Sequence, residues 1–254
     1  MSQTPPTNTG PLTVVLVHGA FADASSWTGV IERLQAHGVR VTAPANPLRG
    51  LASDSAYIAS VFDQIPGPVL AVGHSYGGAV ITNAATKASN VVGLVYVAAF
   101  ATDEGERLGD VESTSKDSIL SSAQVALKYP TGQGTQTAAE FAINPAQLQE
   151  AFAADLPAEQ TAIMAATQRP VAEGAFSEPS GVPAWKTLPS WAVVATGDKA
   201  AGTDVIRAMA RRAGATITEV EGSHVIMISQ PQVVTDVILA AVAAVDSASK
   251  RYTS

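Results

Sequence analysis

Apolar positions along the chain fall into two alternating patterns. Near-continuous apolar runs occupy residues 12–17, 69–73, 91–98 and 190–195, and strand-like stretches rich in β-branched residues occupy 39–43 and 216–220. Between them lie stretches whose apolar residues recur every three or four positions. In 25–36 these are Trp27, Val30, Ile31 and Leu34, and in 54–64 they are Tyr57, Ile58, Val61 and Phe62. Further helical patterns cover residues 78–85, 203–212 and 231–245. Continuous apolar runs suit strands buried on both faces, and a 3.6-residue period suits amphipathic helices. Their alternation predicts an α/β fold with a mostly parallel sheet, doubly wound because crossover connections are right-handed.

The alternation breaks between residues 101 and 186. This stretch is rich in Ala, Gln, Glu, Ser and Thr, with short helical patterns at 145–154 and 157–167. Turn signals stand at Tyr129-Pro130-Thr131-Gly132 and Pro179-Ser180-Gly181. An insertion of this length between two strands, at their carboxyl ends, sits where ligands bind in open α/β sheets. It is expected to be a helical lid. The predicted organisation is a flexible leader at 1–11, a core formed by 12–100 and 187–248, the lid at 101–186, and a tail at 249–254.

Composition narrows the partners. Of 254 residues, 46% are apolar and 15% charged, which fits a well-buried core and not a disordered chain. A net charge of −7 makes nucleic acid and anionic membrane poor partners. The longest apolar stretch, 91–101, is about half a membrane span. There is no cysteine, so thiol catalysis and thiolate metal sites are excluded, and a reducing cytoplasmic location is expected. The first ten residues lack the basic and apolar regions of a signal peptide. No metal-ligand cluster and no dinucleotide fingerprint is present, so no metal and no cofactor is expected.

The chemistry concentrates at Gly73-His74-Ser75-Tyr76-Gly77. The run 69–72 before it reads as a strand and the run after it as a helix, which puts Ser75 at the apex of a sharp turn. Such a turn pushes the hydroxyl outward and suits a nucleophile. The flanking glycines allow close approach while Ser75 takes a strained conformation, at a cost of about 1–3 kcal/mol. On its own the pattern is a weak signal. A serine also needs a base and an orienting acid.

Among the four histidines, His74 points away from its neighbour, His18 braces the loop after the first strand, and His37 ends a helix at a solvated position. His224, just after the strand ending at Val220, belongs at the same sheet edge as Ser75 and is the expected base. Asp198, in Thr196-Gly197-Asp198-Lys199, follows the strand 190–195 and is the expected acid. Asp204 competes for that role, but it reads better as a first-turn helix residue favoured by the dipole. The oxyanion donors are expected to be the backbone N–H groups of Tyr76 and Ala20, with Phe21 as the fallback.

With Ser75, Asp198 and His224 in that order, the chain resembles the α/β-hydrolase family. The matching pieces are Val17-His18-Gly19-Ala20, Gly73 to Gly78, Thr196-Gly197-Asp198 and Gly222-Ser223-His224. Val17 to Ala20 and Val97-Ala98-Ala99-Phe100 look most like the plant methylesterase and hydroxynitrile lyase branch and its bacterial esterase relatives. The resemblance implies a Ser–His–Asp triad and an acyl-enzyme. Lyases of that branch carry a lysine after the histidine and a threonine in the oxyanion loop, where this chain has Val225 and Gly19. An esterase acting on a small or medium carboxylic ester is therefore favoured. The alternatives are a lyase-like or cofactor-free perhydrolase or haloperoxidase activity on the same triad, and a non-catalytic ligand receptor.

Phe21, Tyr76 and Phe100 are expected to flank the nucleophile, with Trp185 and Met227 approaching from the lid boundary and the histidine loop. Trp27 and Trp191 read as core. Arg49 reads as a solvated surface residue, with a substrate carboxylate as its less favoured partner. The expected partner is a small-molecule ester, and a homodimer stays open.

Overall fold

The computed structural model describes residues 10–252, with side chains described to residue 248. Its centre is a six-stranded sheet built from β1 (Thr13–Val17), β2 (Arg40–Thr42), β3 (Val69–His74), β4 (Val91–Val97), β8 (Ser190–Ala195) and β9 (Thr216–Val220). The spatial order is β2-β1-β3-β4-β8-β9, and all five pairings in it are parallel. β1, β3 and β4 are buried almost throughout, which explains their unbroken apolar sequences.

Helices cover both faces. α1 (Thr28–Ala36), preceded by a 3₁₀ turn at Ala24–Trp27, packs against the long C-terminal helix α11 (Pro231–Tyr252). α2 (Leu51–Asp63) packs against α3 (Tyr76–Ala84), and α9 (Thr203–Arg212) lies on β8. In α11 the window Pro231–Ala248 is long and apolar enough to cross a membrane by length and composition. Its Val234, Ile238, Ala241 and Val245 instead lie along one helical face and are buried. That face rests on β3, β4 and β8, so α11 has the position of a core helix.

The chain runs from β1 outward to β2, then returns to β3 on the other side of β1. The order therefore reverses between β1 and β3. In doubly wound sheets the crevice at this switch point, outside the carboxyl ends of the strands, is the ligand site. The loop Gly19–Phe21 leaves β1 there, and Ser75 ends β3 there.

The insertion between β4 and β8 is not purely helical, contrary to the sequence expectation. Besides α4 (Leu108–Ser113), α5 (Leu120–Ala123), α6 (Leu148–Phe152), α7 (Ala158–Thr167) and α8 (Gly174–Ser177), it holds an antiparallel sheet of β5 (Gln124–Pro130), β6 (Thr137–Ile143) and β7 (Val171–Ala172). β5 is largely exposed on both faces, so its sequence lacks the alternation that marks a half-buried strand. Of the expected leader, residues 1–9 lie outside the described residues. Of the expected tail, residues 249–252 continue α11, and 253–254 lie outside the described residues.

Candidate active site

β3 delivers Ser75 into an unusual backbone conformation, φ 53° and ψ −124°, directly before α3. This is left-handed φ for a residue with a side chain, a strain of about 1–3 kcal/mol that the surroundings must hold. They hold it by close backbone packing. A Cβ on Gly73 would lie 2.5 Å from the Gly77 carbonyl oxygen, and one on Gly77 would lie 2.4 Å from that of Val17. The Ser75 carbonyl accepts from the N–H groups of Gly78 (2.9 Å) and Phe100 (3.2 Å). The turn is thereby fixed to both α3 and the segment after β4.

Asp198 and His224 sit in the loops after β8 and β9, and both side chains are 1% exposed. His224 Nδ1 and Asp198 Oδ2 are 2.8 Å apart. The other carboxylate oxygen, Oδ1, accepts from the N–H groups of Ala200 and Ala201, both at 2.9 Å. Thr203 completes the loop: its hydroxyl accepts from the Asp198 N–H at 3.1 Å and donates to the Ala195 carbonyl at 2.7 Å. Asp204, the competing acid, lies in the first turn of α9 and accepts from the Ser115 hydroxyl (2.5 Å) and the Lys116 N–H (2.8 Å).

His224 is clamped between rings, His74 at 4.7 Å and Phe152 at 5.0 Å between centroids. His74 Nε2 donates to the His224 carbonyl at 2.9 Å. Burial first, then the neighbouring His224, holds His74 well below the usual histidine pKa, so it stays neutral. Its proton is then on Nε2, and the buried Nδ1 has no partner among the described residues. His18 is also neutral, pushed down to about 4, chiefly by burial. It accepts from the Asn46 N–H at Nε2 (2.9 Å) and donates from Nδ1 to the Gly19 carbonyl (2.9 Å), pinning the loop after β1. His37 is exposed and lies against the Arg33 carbonyl at a helix end.

The loop after β1 reaches the turn because position 19 has no side chain. A Cβ on Gly19 would lie 2.7 Å from the Ser75 Cβ and 2.8 Å from the His74 carbonyl oxygen. The backbone N–H groups of Ala20, Phe21 and Tyr76 have no hydrogen bond to another protein group among the described residues. The Tyr76 ring points elsewhere, its hydroxyl donating to the buried Asp54 at 2.8 Å. Burial raises the Asp54 pKa above the carboxylate norm, and burial with Asp54 beside it pushes Tyr76 far up.

Ser75 and His224 line one small cavity together with Ala20, Phe21, Tyr76 and Phe100 from the core. Its remaining wall comes mostly from the lid: Leu108, Glu112, Leu120, Phe152 and Phe176. None of these five is legible in the sequence, because scattered residues in short helices carry no spacing signal. Glu112 adds a carboxylate to an otherwise apolar wall. Burial raises its pKa, and its Oε1 lies 3.0 Å from the Ser118 hydroxyl. A second lid carboxylate, Asp155, accepts from the N–H (3.0 Å) and the hydroxyl of Ser223, the residue before His224.

Two expected pocket residues are not in this wall. Met227 is fully buried in α10 (Ile226–Ser229), the short helix that starts two residues after His224 and turns its side chain into the core. Trp185 lies at the end of the lid, donating from Nε1 to the Thr102 carbonyl (3.0 Å) beside the cations of Lys186 and Arg212. Arg49 is neither free nor in the cavity. It pairs with Glu140 at 2.8 Å, donates to the Pro170 carbonyl at 3.1 Å and lies over the Tyr129 ring, which ties the lid sheet to the core. Trp27 is fully buried, and Trp191 packs partly buried against the core.

Solved structures of similar shape include polyneuridine aldehyde esterase, with 20% identity, a TM-score of 0.76, and coverage of 91% of this chain and 99% of that one. A methylesterase from Arabidopsis gives 19% identity, a TM-score of 0.74, and coverage of 92% and 99%. A pyrethroid hydrolase from Sphingobium faniae gives 20% identity, a TM-score of 0.72, and coverage of 92% and 98%. At such identities the likeness is one of fold. No curated protein sequence matches significantly. The sequence model of the alpha/beta hydrolase family, however, matches residues 14–237, nearly the whole described chain, and the protein belongs to that family.

Proposed function

We propose that the protein is a serine hydrolase that cleaves a small or medium carboxylic ester through an acyl-enzyme. One arrangement carries this reading. Ser75 stands at a strained strand-to-helix turn, in the cavity it shares with His224, whose far ring nitrogen meets the buried Asp198. His224 takes the Ser75 proton at Nε2 as the hydroxyl attacks the ester carbonyl. Asp198 holds the imidazole with its proton on Nδ1 and stabilises the imidazolium that forms. The unpaired N–H groups of Ala20 and Tyr76 receive the oxyanion, each such donor contributing about 3–4 kcal/mol to the barrier reduction. His224 then protonates the leaving alcohol. A water molecule, deprotonated by the same ring, releases the acid.

The mostly apolar wall of Phe21, Phe100, Leu108, Leu120, Phe152 and Phe176 favours an uncharged acyl or alkoxy group beside Ser75. Cyanohydrin cleavage finds less support. A threonine at position 19 has no room against Ser75 and His74, and Val225, where a lysine would stand, is fully buried. The test is Ser75→Ala with short p-nitrophenyl esters, beside fluorophosphonate labelling of the unaltered protein. Loss of hydrolysis and of labelling is expected. Undiminished turnover by Ser75→Ala would overturn the assignment.

A further inference from the structure

The cavity at Ser75 and His224 has a free volume near 10 Å³, about enough for one water molecule and too little for any acyl or alkoxy group. On the far side of Phe21 lies an open groove of about 420 Å³. That is the size of a small-molecule site. Phe21 belongs to the wall of both. It is the one residue the two walls share, and its ring meets that of Phe152 at 6.1 Å between centroids.

The groove has a built wall. Gln160, Ile163, Met164 and Thr167 stand at i, i+3, i+4 and i+7 on α7, so one face of that helix forms one side. Ile228, after the His224 loop, and Phe21 add apolar surface opposite. Ile163, 66% exposed, presents its apolar side chain at the groove. Asp23 is the one charged residue lining the groove. Its carboxylate accepts from the N–H (2.7 Å) and the hydroxyl (2.5 Å) of Ser25, which keeps it ionised, and the guanidinium of Arg169, outside the wall, adds to this.

We propose that this groove is the subsite for the larger substituent of the ester, an apolar and uncharged chain or ring, and that Phe21 is the specificity-determining residue between it and Ser75. The proposal rests on the ester-hydrolase reading. It extends that reading from small esters at Ser75 to esters with one extended neutral group. An anionic tail meets the Asp23 carboxylate in the wall and is disfavoured. Phe21→Ala joins the two spaces, and Met164→Trp fills the outer one.

The experiment compares kcat/KM for p-nitrophenyl decanoate over acetate, and for decyl over methyl acetate, in the unaltered protein, Phe21→Ala, Met164→Trp and Ile163→Asp. At least one ratio is expected to fall tenfold or more in Met164→Trp and Ile163→Asp, and to rise in Phe21→Ala. Melting temperatures show that each variant is folded, and Ile163→Asp alters only an exposed position. Binding of decyl acetate to Ser75→Ala, with and without Met164→Trp, reads the groove without any turnover. Ratios and binding that ignore all three substitutions overturn the subsite. Absence of acetate turnover and of fluorophosphonate labelling overturns the ester reading, and the binding measurement then still decides the groove.

Discussion

Asp198→Asn isolates what the acid does from what it holds. Asp198 Oδ1 accepts from two backbone N–H groups at 2.9 Å, and Oδ2 faces His224 Nδ1 at 2.8 Å. An asparagine has one oxygen for these two places. Setting its NH₂ against the Ala200 and Ala201 amides would lose two buried hydrogen bonds, at about 1–3 kcal/mol each. The carbonyl oxygen therefore stays at the Oδ1 place, and the NH₂ points at His224 Nδ1. His224 must then accept at Nδ1 and carry its proton on Nε2, the nitrogen that has to take the proton of Ser75. In the Ser–His–Asp template such a tautomer error lowers kcat by roughly 10⁴, equivalent to about 5.4 kcal/mol of barrier. Steady-state hydrolysis of a p-nitrophenyl ester measures it, with the melting temperature expected to change little because the Oδ1 bonds survive. Asp204→Asn is the control: that carboxylate holds Ser115 and Lys116, and kcat should stay within a few-fold. Retention of more than a tenth of kcat in Asp198→Asn would refute the assigned role.

Gly19→Thr should lower kcat by about 10² or more and reduce stability, since its Cβ starts 2.7 Å from the Ser75 Cβ and displaces the elbow. Assayed for cyanohydrin cleavage, it should gain nothing. Asp155→Ala removes a carboxylate from the Ser223 N–H and hydroxyl. Because Asp155 is exposed, the stability cost should be only about 1 kcal/mol, while kcat falls with KM little changed as His224 loosens; an unchanged kcat would count against a positioning role. Glu112 has a raised folded pKa, chiefly from burial, so the native state holds its proton more tightly than the unfolded chain. Its contribution is fully present below the ordinary glutamate pKa and is lost as pH rises through the raised value. Glu112→Gln should therefore gain melting temperature relative to the unaltered protein as pH climbs through that window, with no gain below it; parallel curves would refute the account.

What the sequence made legible is what rests on dense apolar burial or on rigid turns. Four of the six core strands, β1, β3, β4 and β8, are buried runs, the edge strands β2 and β9 are rich in β-branched residues, and the places of all six were readable within a residue or two. Ser75, Asp198 and His224 each follow such a strand, so their common edge followed from topology. The lid was opaque for the opposite reason. β5 exposes most of its length, and pairing with β6 is set by a register that no local pattern announces. Phe152, Glu112 and Asp155 become site residues only through the tertiary fold of the insertion. Trp185 and Met227 show the reverse error. Met227 is near His224 in sequence and Trp185 stands at the lid boundary, yet a short helix turns Met227 into the core, and a bond to Thr102 holds Trp185 away from the cavity.

The lid's attachments also bear on how a substrate reaches Ser75. Its first half is bound to the acid loop: the Ser118 hydroxyl bonds the Ala200 carbonyl at 2.6 Å, the Ile119 N–H bonds that of Lys199 at 2.8 Å, and Asp117 accepts from the Asp204 N–H at 3.0 Å. Asp155 grips the base loop through Ser223. Arg49 fastens the lid sheet to the core. Lifting the insertion as one body would break these bonds together, and two of the groups released, Ala200 and Ser223, adjoin the residues that hold or carry the acid and the base. Each lost bond costs about 0.5–1.5 kcal/mol, more where a carboxylate takes part, so the whole set amounts to several kcal/mol. Turning the Phe21 ring toward the groove breaks none of them. On the proposed ester-hydrolase reading, the lower-cost route to Ser75 thus runs past Phe21 and α7, and the remainder of the lid braces the loops that carry Asp198 and His224.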